Sequence, residues 1–545
     1  MSKFNKNTVT VDRMTNHPTA TKNLADGLAF DADAKTALYK AACTSLVGEN
    51  SYYQSGNERN AEMLASLYKV ASEDPEWVLR LASYVRNEMN LRSASTMILC
   101  EASRMPSCRP FVRKWTPHIL KRADELKEAL AYMLNNYGRP VPACLRKGIA
   151  DAFHNFDEYQ FLKYDQVRSN GSVTMMDVLR MCHPVPDCKS QEAMFGYLCN
   201  KEVPDKLLPK AVAQKKFNDL KTWGSKAQKL ISDGHVNWDM AVSQFGNRKE
   251  IWNSLNLPFM AALRNLRNMA KSGADMTKVL GMLKDPIAVK RSKQLPFRFY
   301  MADKMMKDVC DPFVASEVRK ALAIALDHST ANVPQLPGKT LVMVDVSGSM
   351  RQPVSGKSKM QCDEIAMLLG SVCARGMDNV IVSLFATDFE FVDLSGMNVV
   401  AGLKFLKEKQ VGQATYAHKT IDHIVKKNVY VDRIIVLSDF QCYGDSLMQT
   451  GWYTKEPNQF PTSIAKYKRE INKDVKVISI DLTGNTTLML PKDEPNVAMV
   501  AGWSERIFDF IEKFESGSGD ALGAISEYEA PAIRSPKWAN EKPIR

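Results

Sequence analysis

The sequence predicts a multidomain protein, with an all-α repeat domain followed by a doubly wound α/β domain. Three observations lead to this prediction. Amphipathic helical patterns fill residues 30–330, where alternating β-branched runs are scarce. A linker containing Pro and Gly follows at residues 332–338. Beyond it, short apolar strands alternate with helical patterns, which is typical of a parallel sheet covered on both faces.

Helix-start signals recur in the first region. Asp74-Pro75 supplies an N-cap followed by Pro at the first helical position, and Asp285-Pro286 and Asp311-Pro312 repeat the pair. One apolar stripe follows the first pair and consists of Trp77, Leu81, Tyr84 and Val85. Stacked helix pairs in a solenoid fit this pattern. Because no fixed sequence period is found, a compact non-repeat helical domain fits as well.

The second region has the alternation expected of a parallel sheet with crossover helices. The predicted strands are 340–346, 379–386, 433–437, 475–482 and 496–501. The predicted helices are 359–375, 399–408, 416–427, 461–471 and 503–515. The chain is thereby divided into a polar arm at 1–27, a helical domain at 28–335 and an α/β domain at 336–545.

Positive charge is concentrated in the helical region. Residues 1–335 contain 48 Lys and Arg against 35 Asp and Glu, whereas the remaining residues contain 25 against 26. The stretch 251–300 has nine basic and two acidic side chains. Lys and Arg neutralise phosphates and release counterions, so a polyanionic partner of the helical region is indicated. A basic surface that only aids solubility is the alternative.

Cysteine usage and hydropathy bear on the compartment. The eleven cysteines are scattered and form no CxxC pair, which disfavours a zinc ribbon and favours a reducing environment. The first residues contain no apolar signal segment, and no apolar run approaches the ~20 residues that span a bilayer. We therefore expect a cytoplasmic protein without membrane association.

Polar side chains are found where the predicted strands end. The strand 340–346 runs into a D-x-S-x-S motif, an Asp follows the strand 433–437, and a Thr lies on an intervening loop. Because parallel strands end at a shared edge, these oxygens should converge. The five candidate metal ligands are Asp345, Ser347, Ser349, Thr415 and Asp439. Such hard ligands suit Mg²⁺ best, with Mn²⁺ or Ca²⁺ as alternatives, and do not suit zinc.

This constellation resembles the metal-ion-dependent adhesion site of von Willebrand A domains. The resemblance implies a von Willebrand A-like α/β domain whose metal keeps a position for water or an outside oxygen. The loop departs from the common Gly-Gly-Thr, because it reads Gln413-Ala414-Thr415. The alternative is that Ser347 and Ser349 only cap the next helix and that Asp439 is a turn residue.

The helical region resembles the Ro family of TROVE-domain RNA-binding proteins. The resemblance is carried by residues 77–95, 141–183, 258–269 and 295–302. It implies a HEAT-like ring of helical repeats, closed by the A domain and monomeric. It also implies that Y-like small noncoding RNAs bind a basic outer surface, that single-stranded 3′ ends of misfolded RNAs enter the central hole, and that the protein acts in RNA quality control.

The resemblance also assigns candidate RNA-binding residues. The outer set is Lys163, Gln166, Arg168, Arg180 and His183. A second basic set could track an RNA backbone if it lies on the inner face of the ring: Arg264, Arg267, Lys290, Arg291, Lys293 and Arg298. Arg146 and Lys147 are further candidates. Lys and Arg would supply the phosphate contacts, while Gln and His can bond phosphate or base edges. The alternative for each is a solvated helix face or an ion pair, and we expect Phe297 and Tyr300 to be core residues.

Three function classes remain to be weighed. A noncatalytic ribonucleoprotein scaffold is favoured by the charge distribution and the resemblance. The alternative is a protein-interaction module, in which the A-domain metal recruits a partner such as a ribonuclease. An enzyme is disfavoured, because phosphohydrolases with a strand-end Asp commonly use D-x-D, and Ser347 occupies the second acidic position here. No phosphate-binding Gly-x-x-x-x-Gly-Lys loop is present.

Overall fold

The computed structural model describes residues 13–44, 56–164, 172–308, 311–354, 360–443, 446–447, 454–455, 460–485, 487–502, 507–517 and 521–533. These residues form two compact units. The α/β unit contains the described residues up to Lys69, Leu295–Phe297, and those from Ser329 to Glu527. The helical unit contains those in Val70–Gln294 and Arg298–His328, and those from Tyr528 onward.

Two short strands and a long series of helices precede the linker. The strands are β1 (Ala20–Lys22) and β2 (Leu28–Phe30). The helices are α1 (Ala34–Thr44), α2 (Gly56–Glu73), α3 (Pro75–Asn87), α4 (Arg92–Arg104), α5 (Arg109–Ile119), α6 (Ala123–Tyr137), α7 (Ala143–Ala152), α8 (Glu158–Tyr164), α9 (Met175–Cys182), α10 (Lys189–Leu198), α11 (Pro209–Asn218), α12 (Ser225–Ser232), α13 (Trp238–Phe245), α14 (Lys249–Ser254), α15 (Phe259–Ser272), α16 (Thr277–Lys284), α17 (Pro286–Ser292), α18 (Pro296–Met305) and α19 (Pro312–Ser329).

After the linker, strands and helices alternate. The strands are β3 (Thr340–Asp345), β4 (Val380–Phe385), β5 (Phe389–Val392), β6 (Arg433–Ser438), β7 (Ser446–Leu447), β8 (Thr454–Lys455), β9 (Lys476–Asp481) and β10 (Val497–Ala501). The helices are α20 (Cys362–Gly376), α21 (Val399–Glu408), α22 (His418–Lys426), α23 (Phe460–Glu470), α24 (Ile507–Glu515) and α25 (Ala521–Ser526). The predicted strands and helices are confirmed to within a few residues at their ends.

The predicted Asp-Pro helix starts are confirmed. The Asp74 side chain accepts a hydrogen bond from the Trp77 amide at 3.4 Å, and Pro75 occupies the first turn of α3. At α17 the Asp285 carboxylate accepts from the Ile287 amide at 2.9 Å. These caps satisfy amides that a helix leaves unpaired at its start.

Helices of the helical unit stack in two rows. In one row α3 packs on α5 and α5 packs on α7; in the other, α4 packs on α6. The rows also contact each other through α3 with α4 and α4 with α5. Such stacking of successive pairs is what a repeat architecture requires, since each pair buries its apolar face against the next. The predicted helical repeat class is thereby confirmed.

The α/β unit is built on one mixed sheet of strand order β10-β9-β6-β3-β4-β5. All pairs are parallel except β4 with β5. The central strands β3 and β6 are buried along their whole length, with helices on both faces. The predicted doubly wound α/β class is confirmed. The prediction lacked the antiparallel edge strand β5, whose four residues follow β4 after a short turn.

The N-terminal segment packs with the sheet. Strands β1 and β2 form a hairpin, and Phe30 exchanges two backbone hydrogen bonds with Leu488, at 3.0 and 2.9 Å. Met14, Leu28, Phe30 and Leu488 form a small buried cluster. Residues far apart in the sequence therefore share this core. Among the described helices, none is long and apolar enough to span a bilayer.

Candidate metal site and basic surface

Two of the candidate metal ligands lie at the carboxyl ends of adjacent strands. Asp345 is the last residue of β3, and Asp439 directly follows β6, which pairs with β3 in parallel. Both side chains are fully buried. Asp345 accepts hydrogen bonds from the Ser347 amide at 2.9 Å and from the Ser438 hydroxyl at 2.5 Å. These bonds fix the orientation of the Asp345 carboxylate.

The two aspartates influence each other's ionisation. Burial, reinforced by the charge of Asp439, raises the pKa of Asp345 to about 7. Burial likewise raises the pKa of Asp439 to about 6. One oxygen of Asp439 accepts from the Gln441 amide, but its Oδ2 has no hydrogen-bond partner among the described residues. A buried carboxyl group that has an oxygen without a hydrogen-bond partner is costly to ionise unless a cation lies beside it.

The hydroxyl candidates lie on two loops that contact each other. Ser347 and Ser349 are buried, and their hydroxyl oxygens are 3.4 Å apart. The Gly348 amide donates to the Gln413 carbonyl at 2.9 Å, which holds the motif against the loop of Thr415. Thr415 is also buried, and its carbonyl accepts from the Tyr443 amide at 3.2 Å. The structure therefore brings all five predicted residues to one edge of the sheet.

Thr387 holds the loop in which Gln413 and Ala414 replace the common Gly-Gly. Its hydroxyl accepts from the amides of Gln413 and Ala414, each at 3.0 Å. Gly412 has φ +98°, and a Cβ there would lie 2.3 Å from the Thr387 hydroxyl oxygen. The loop thus keeps one glycine where the backbone requires it.

The donor set fits a hard divalent cation. It offers two carboxylates and three hydroxyls, which are oxygen ligands that Mg²⁺ and Ca²⁺ prefer. Among the described residues, neither this edge nor any other place has a group of three or more His, Cys, Asp or Glu side chains placed to bind a metal ion, so the candidate site depends on its hydroxyls. The Oδ2 of Asp439, which has no hydrogen-bond partner among the described residues, is the buried carboxylate oxygen that a cation at this edge would neutralise.

Sequence reasoning missed a third strand-end aspartate and its partner. Asp481 ends β9 next to β6, and it is fully buried. Its Oδ2 lies 2.9 Å from the ammonium of Lys40, a buried residue of α1. The position of Asp481 at a strand end was visible in the sequence. Nothing in the sequence links it to Lys40, since the pair is formed by tertiary packing.

The outer RNA-binding set is partly described. Lys163 is half-buried at the end of α8, whereas Arg180 and His183 are exposed at the end of α9. His183 terminates that helix with φ +51° and donates its amide to the Leu179 carbonyl at 3.0 Å. Gln166 and Arg168 lie outside the described residues.

A second lysine, which the sequence did not single out, lies beside Lys163. The Lys163 and Lys210 ammonium groups are 5.9 and 4.9 Å from the centre of the Tyr159 ring. All three residues line one small cleft, together with His235 and Gln214. The cleft therefore combines two cations and an aromatic ring, groups that can contact phosphates and bases, with one carboxylate, Asp239. The Lys210 ammonium also donates to the Gly234 carbonyl at 3.0 Å.

The second basic set lies on α15 and α17. Arg264 is exposed and Arg267 half-buried, one turn apart on α15. Three further cations are exposed at the end of α17 and just beyond it: Lys290, Arg291 and Lys293. Phe297 and Tyr300 are 4% and 7% exposed, which confirms that they belong to the core.

Arg146 has a structural role within the helical unit. Its guanidinium donates to the Val141 carbonyl at 3.2 Å and to the Met181 carbonyl at 3.4 Å. These bonds join α7 to the end of α9. They also occupy guanidinium N–H groups of Arg146 that would otherwise be available to an RNA phosphate. Lys147, the next residue, is exposed. Of the two, Lys147 is the better placed for an external ligand.

Comparisons with known proteins identify the family. A family model of the TROVE domain matches residues 29–232 and 231–343, which is more than half of the chain. A model described as the Ro60 vWA domain matches residues 339–515. The chain belongs to the Ro family of TROVE-domain proteins. The order of domains that the sequence predicted for a Ro-family protein is thus confirmed.

Two curated relatives and one solved structure resemble this Ro-family chain. It is 26% identical over 329 residues to proteins named Telomerase protein component 1 from Rattus norvegicus and from Mus musculus. The match covers 50% of this chain and 12% of each relative. The crystal structure of Deinococcus radiodurans Ro (RSR) protein has a TM-score of 0.61 at 17% identity, covering 89% of this chain and 100% of that one. This last likeness concerns the fold.

Proposed function

We propose that this Ro-family protein is a noncatalytic RNA-binding protein that acts as a ribonucleoprotein scaffold in RNA quality control. Its basic outer surface would bind Y-like small noncoding RNAs. Single-stranded 3′ ends of misfolded RNAs would enter the central hole expected of the family ring. The cytoplasm is the compartment that best suits the chain's cysteine usage.

The observation that carries this proposal is the exposed cluster of cations in the helical unit. Arg264, Lys290, Arg291 and Lys293 all reach solvent, within a stretch that has nine basic and two acidic residues. Cations exposed in such excess favour a polyphosphate ligand, because each contact with a phosphate releases condensed counterions. The cleft of Lys163 and Lys210 supplies a separate basic surface on the same unit.

We further propose that the strand-end site binds a divalent cation, Mg²⁺ in preference to Mn²⁺ or Ca²⁺. Asp345, Ser347, Ser349, Thr415 and Asp439 would hold it. When bound, the cation would neutralise two buried carboxylates and offer a coordination position to an outside oxygen. The unpartnered Oδ2 of Asp439 supports this assignment.

The RNA proposal is tested by a filter-binding salt titration on the full chain. Two RNAs of equal length are compared, one fully duplex and one with a single-stranded 3′ tail. We expect binding that depends on the tail and weakens steeply with salt, with a log–log slope near −0.7 for each single-strand phosphate contact. Binding that ignores the tail, or that is insensitive to salt, would contradict the proposal.

A second candidate function is a protein-interaction module. It is favoured by the donor set, since two carboxylates and three hydroxyls supply five oxygens and leave one position of a six-coordinate cation open to a partner's carboxylate oxygen. The partner would be a protein such as a ribonuclease. A pull-down in Mg²⁺ and in a chelator distinguishes this function: capture must depend on the metal and must be lost in Asp345→Ala.

A further inference from the structure

The loop that carries Asp439 is held by the N-terminal segment of the chain. This loop, residues 439–443, directly follows β6, and Phe440 within it has φ +65°. A left-handed conformation costs a residue with a side chain about 1–2 kcal/mol, so it persists only where its surroundings enforce it. The conformation next to Asp439 therefore depends on what packs against the loop.

Asn23 supplies the main contact from the N-terminal side. Its amide nitrogen donates to the carbonyls of Phe440 at 3.3 Å and Cys442 at 2.6 Å. Its carbonyl oxygen accepts from the amides of Ala25 and Gly27, at 3.0 and 2.9 Å. The side chain is buried, so all four bonds are shielded from water. One residue thus joins a tight N-terminal turn to the carbonyls on both sides of Gln441.

Gln441 completes the link from the loop side. Its side-chain carbonyl accepts from the Leu24 amide at 2.8 Å, and its amide nitrogen donates to the Asp439 carbonyl at 3.3 Å. Gly27 lies so close to the loop that a Cβ there would be 2.0 Å from the Cys442 carbonyl oxygen. A continuous chain of hydrogen bonds therefore runs from the turn at residues 23–27 to the backbone of Asp439.

The same segment contacts this edge a second time through α1. The buried Lys40 ammonium lies 5.0 Å from the centre of the Phe440 ring and donates to the Thr487 carbonyl at 2.6 Å. It also pairs with Asp481. With its charge matched in this way, Asp481 is held as a counterion of Lys40, which leaves Asp345 and Asp439 as the carboxylates available to a cation.

We infer that Asn23 is a positioning residue for the candidate metal site, so that the N-terminal segment, residues 13–44, helps to set the geometry of that site. Asn23 acts through the loop and does not touch the cation. The inference rests on the proposed metal site. It explains why a polar segment far from the motif in sequence is built into the core of the α/β unit.

The test is a Mn²⁺ titration of the full chain followed by electron paramagnetic resonance, which measures free Mn²⁺ directly. Asn23→Ala is expected to weaken Mn²⁺ binding by about tenfold, the lower end of what loss of a direct partner of a metal ligand causes, because Asn23 holds the loop of Asp439 and not Asp439 itself. The matched control is Tyr467→Phe, which deletes the hydroxyl that contacts Val431 and Val429 before the opposite end of β6. We expect the Mn²⁺ affinity of this control to stay within about twofold of that of the wild type, although its Tm falls by about as much as that of Asn23→Ala.

A second variant covers the case in which Asn23→Ala does not fold. Gln441→Leu breaks the same link from the loop side and keeps the turn at residues 23–27, and it should also weaken Mn²⁺ binding. If the wild type binds Mn²⁺ and the variants that fold bind it equally well, the positioning role is overturned and the metal site stands. If the wild type does not bind Mn²⁺, both proposals are overturned.

Discussion

Three aspartates end neighbouring strands, yet their surroundings give them different roles. Asp481 has a cation beside it in Lys40, whereas Asp345 and Asp439 have neutral donors and neighbouring carboxylates, Asp439 for Asp345 and Asp481 for Asp439. Burial without a cation raises the pKa of Asp345 and Asp439. Because the unfolded chain ionises these carboxyls at a lower pH than the fold does, the metal-free fold loses stability as the pH rises from their ordinary pKa to the raised pKa, and it loses no more above that.

The first prediction concerns Asp439→Asn. The substitution removes a buried charge whose Oδ2 has no partner among the described atoms, so the metal-free protein should be at least as stable as the wild type near neutral pH. It should also lose the stabilisation by metal, which for the wild type amounts to about 2.7 kcal/mol at about 100 times the Kd. Tm in a chelator and in excess Mg²⁺ measures both effects.

A control for this prediction is Asp432→Asn. Asp432 precedes β6 at the opposite end from Asp439 and accepts from the Lys339 amide at 2.6 Å. This variant should lose stability and keep the Mg²⁺-dependent rise in Tm. An Asp439→Asn protein that still gains Tm in Mg²⁺ would contradict the assignment of Asp439 as a ligand.

The second prediction concerns the buried pair of Arg433 and Glu515. Two guanidinium nitrogens of Arg433 lie 2.5 Å from the Glu515 carboxylate, and the arginine is 2% exposed. Glu515→Ala leaves a buried charge unmatched and should lower the free energy of unfolding by about 3–5 kcal/mol. Chemical denaturation measures the change. Glu408→Ala, which breaks a solvent-exposed pair with Lys404, should leave the midpoint unchanged.

At the scale of elements, the loop before Thr415 depends on one glycine. A Cβ at position 412 would meet the Thr387 hydroxyl, which holds two loop amides, and the φ of +98° disfavours any side chain. Gly412→Ala is therefore predicted to displace Thr415 and weaken Mg²⁺ binding by at least about tenfold, measured by calorimetry. Gly396→Ala is the control, because Gly396 also has a positive φ, +74°, but a Cβ there would meet no atom within 4 Å. Equal metal affinities of the two variants would contradict this prediction.

The sequence predicted those elements whose signals are local. Continuous apolar runs located β3, β6 and β9. The motif after β3 supplied three of the candidate ligands and the Asp after β6 a fourth, through the rule that parallel strands end at one edge. Strand β5 was missed because four residues at a sheet edge alternate too briefly to be distinguished from a turn. Asn23 and Lys40 could not be found, since their partners lie more than 400 residues away.

The second element-scale prediction separates the two basic surfaces. Lys163→Ala with Lys210→Ala should reduce affinity for a stem-loop RNA that has no single-stranded 3′ tail, and should lower its salt slope by about 2. Arg264→Ala with Arg267→Ala should instead weaken a duplex with a 3′ tail. Filter binding across salt concentrations measures both. Equal losses on both RNAs from each pair would contradict two separate surfaces.

At the scale of the whole molecule, charge and metal chemistry are assigned to different parts of the chain. The excess of positive charge lies entirely before residue 336, whereas the remaining residues are close to neutral. The candidate ligands lie in the α/β unit, and both basic surfaces lie in the helical unit.

The last prediction follows from this division. Asp345→Ala should abolish Mg²⁺ binding, because it removes a carboxylate from the centre of the candidate site, and should leave affinity for tailed RNA within about twofold, since the phosphate term depends on the cations of the helical unit. Filter binding in Mg²⁺ and in a chelator, with wild type and variant side by side, measures the coupling. A large loss of RNA affinity in the variant, reproduced by chelation of the wild type, would mean that metal binding shapes the RNA site. Metal binding and RNA binding would then be coupled, with a coupling free energy equal to RT times the logarithm of the ratio of the RNA affinities with and without metal.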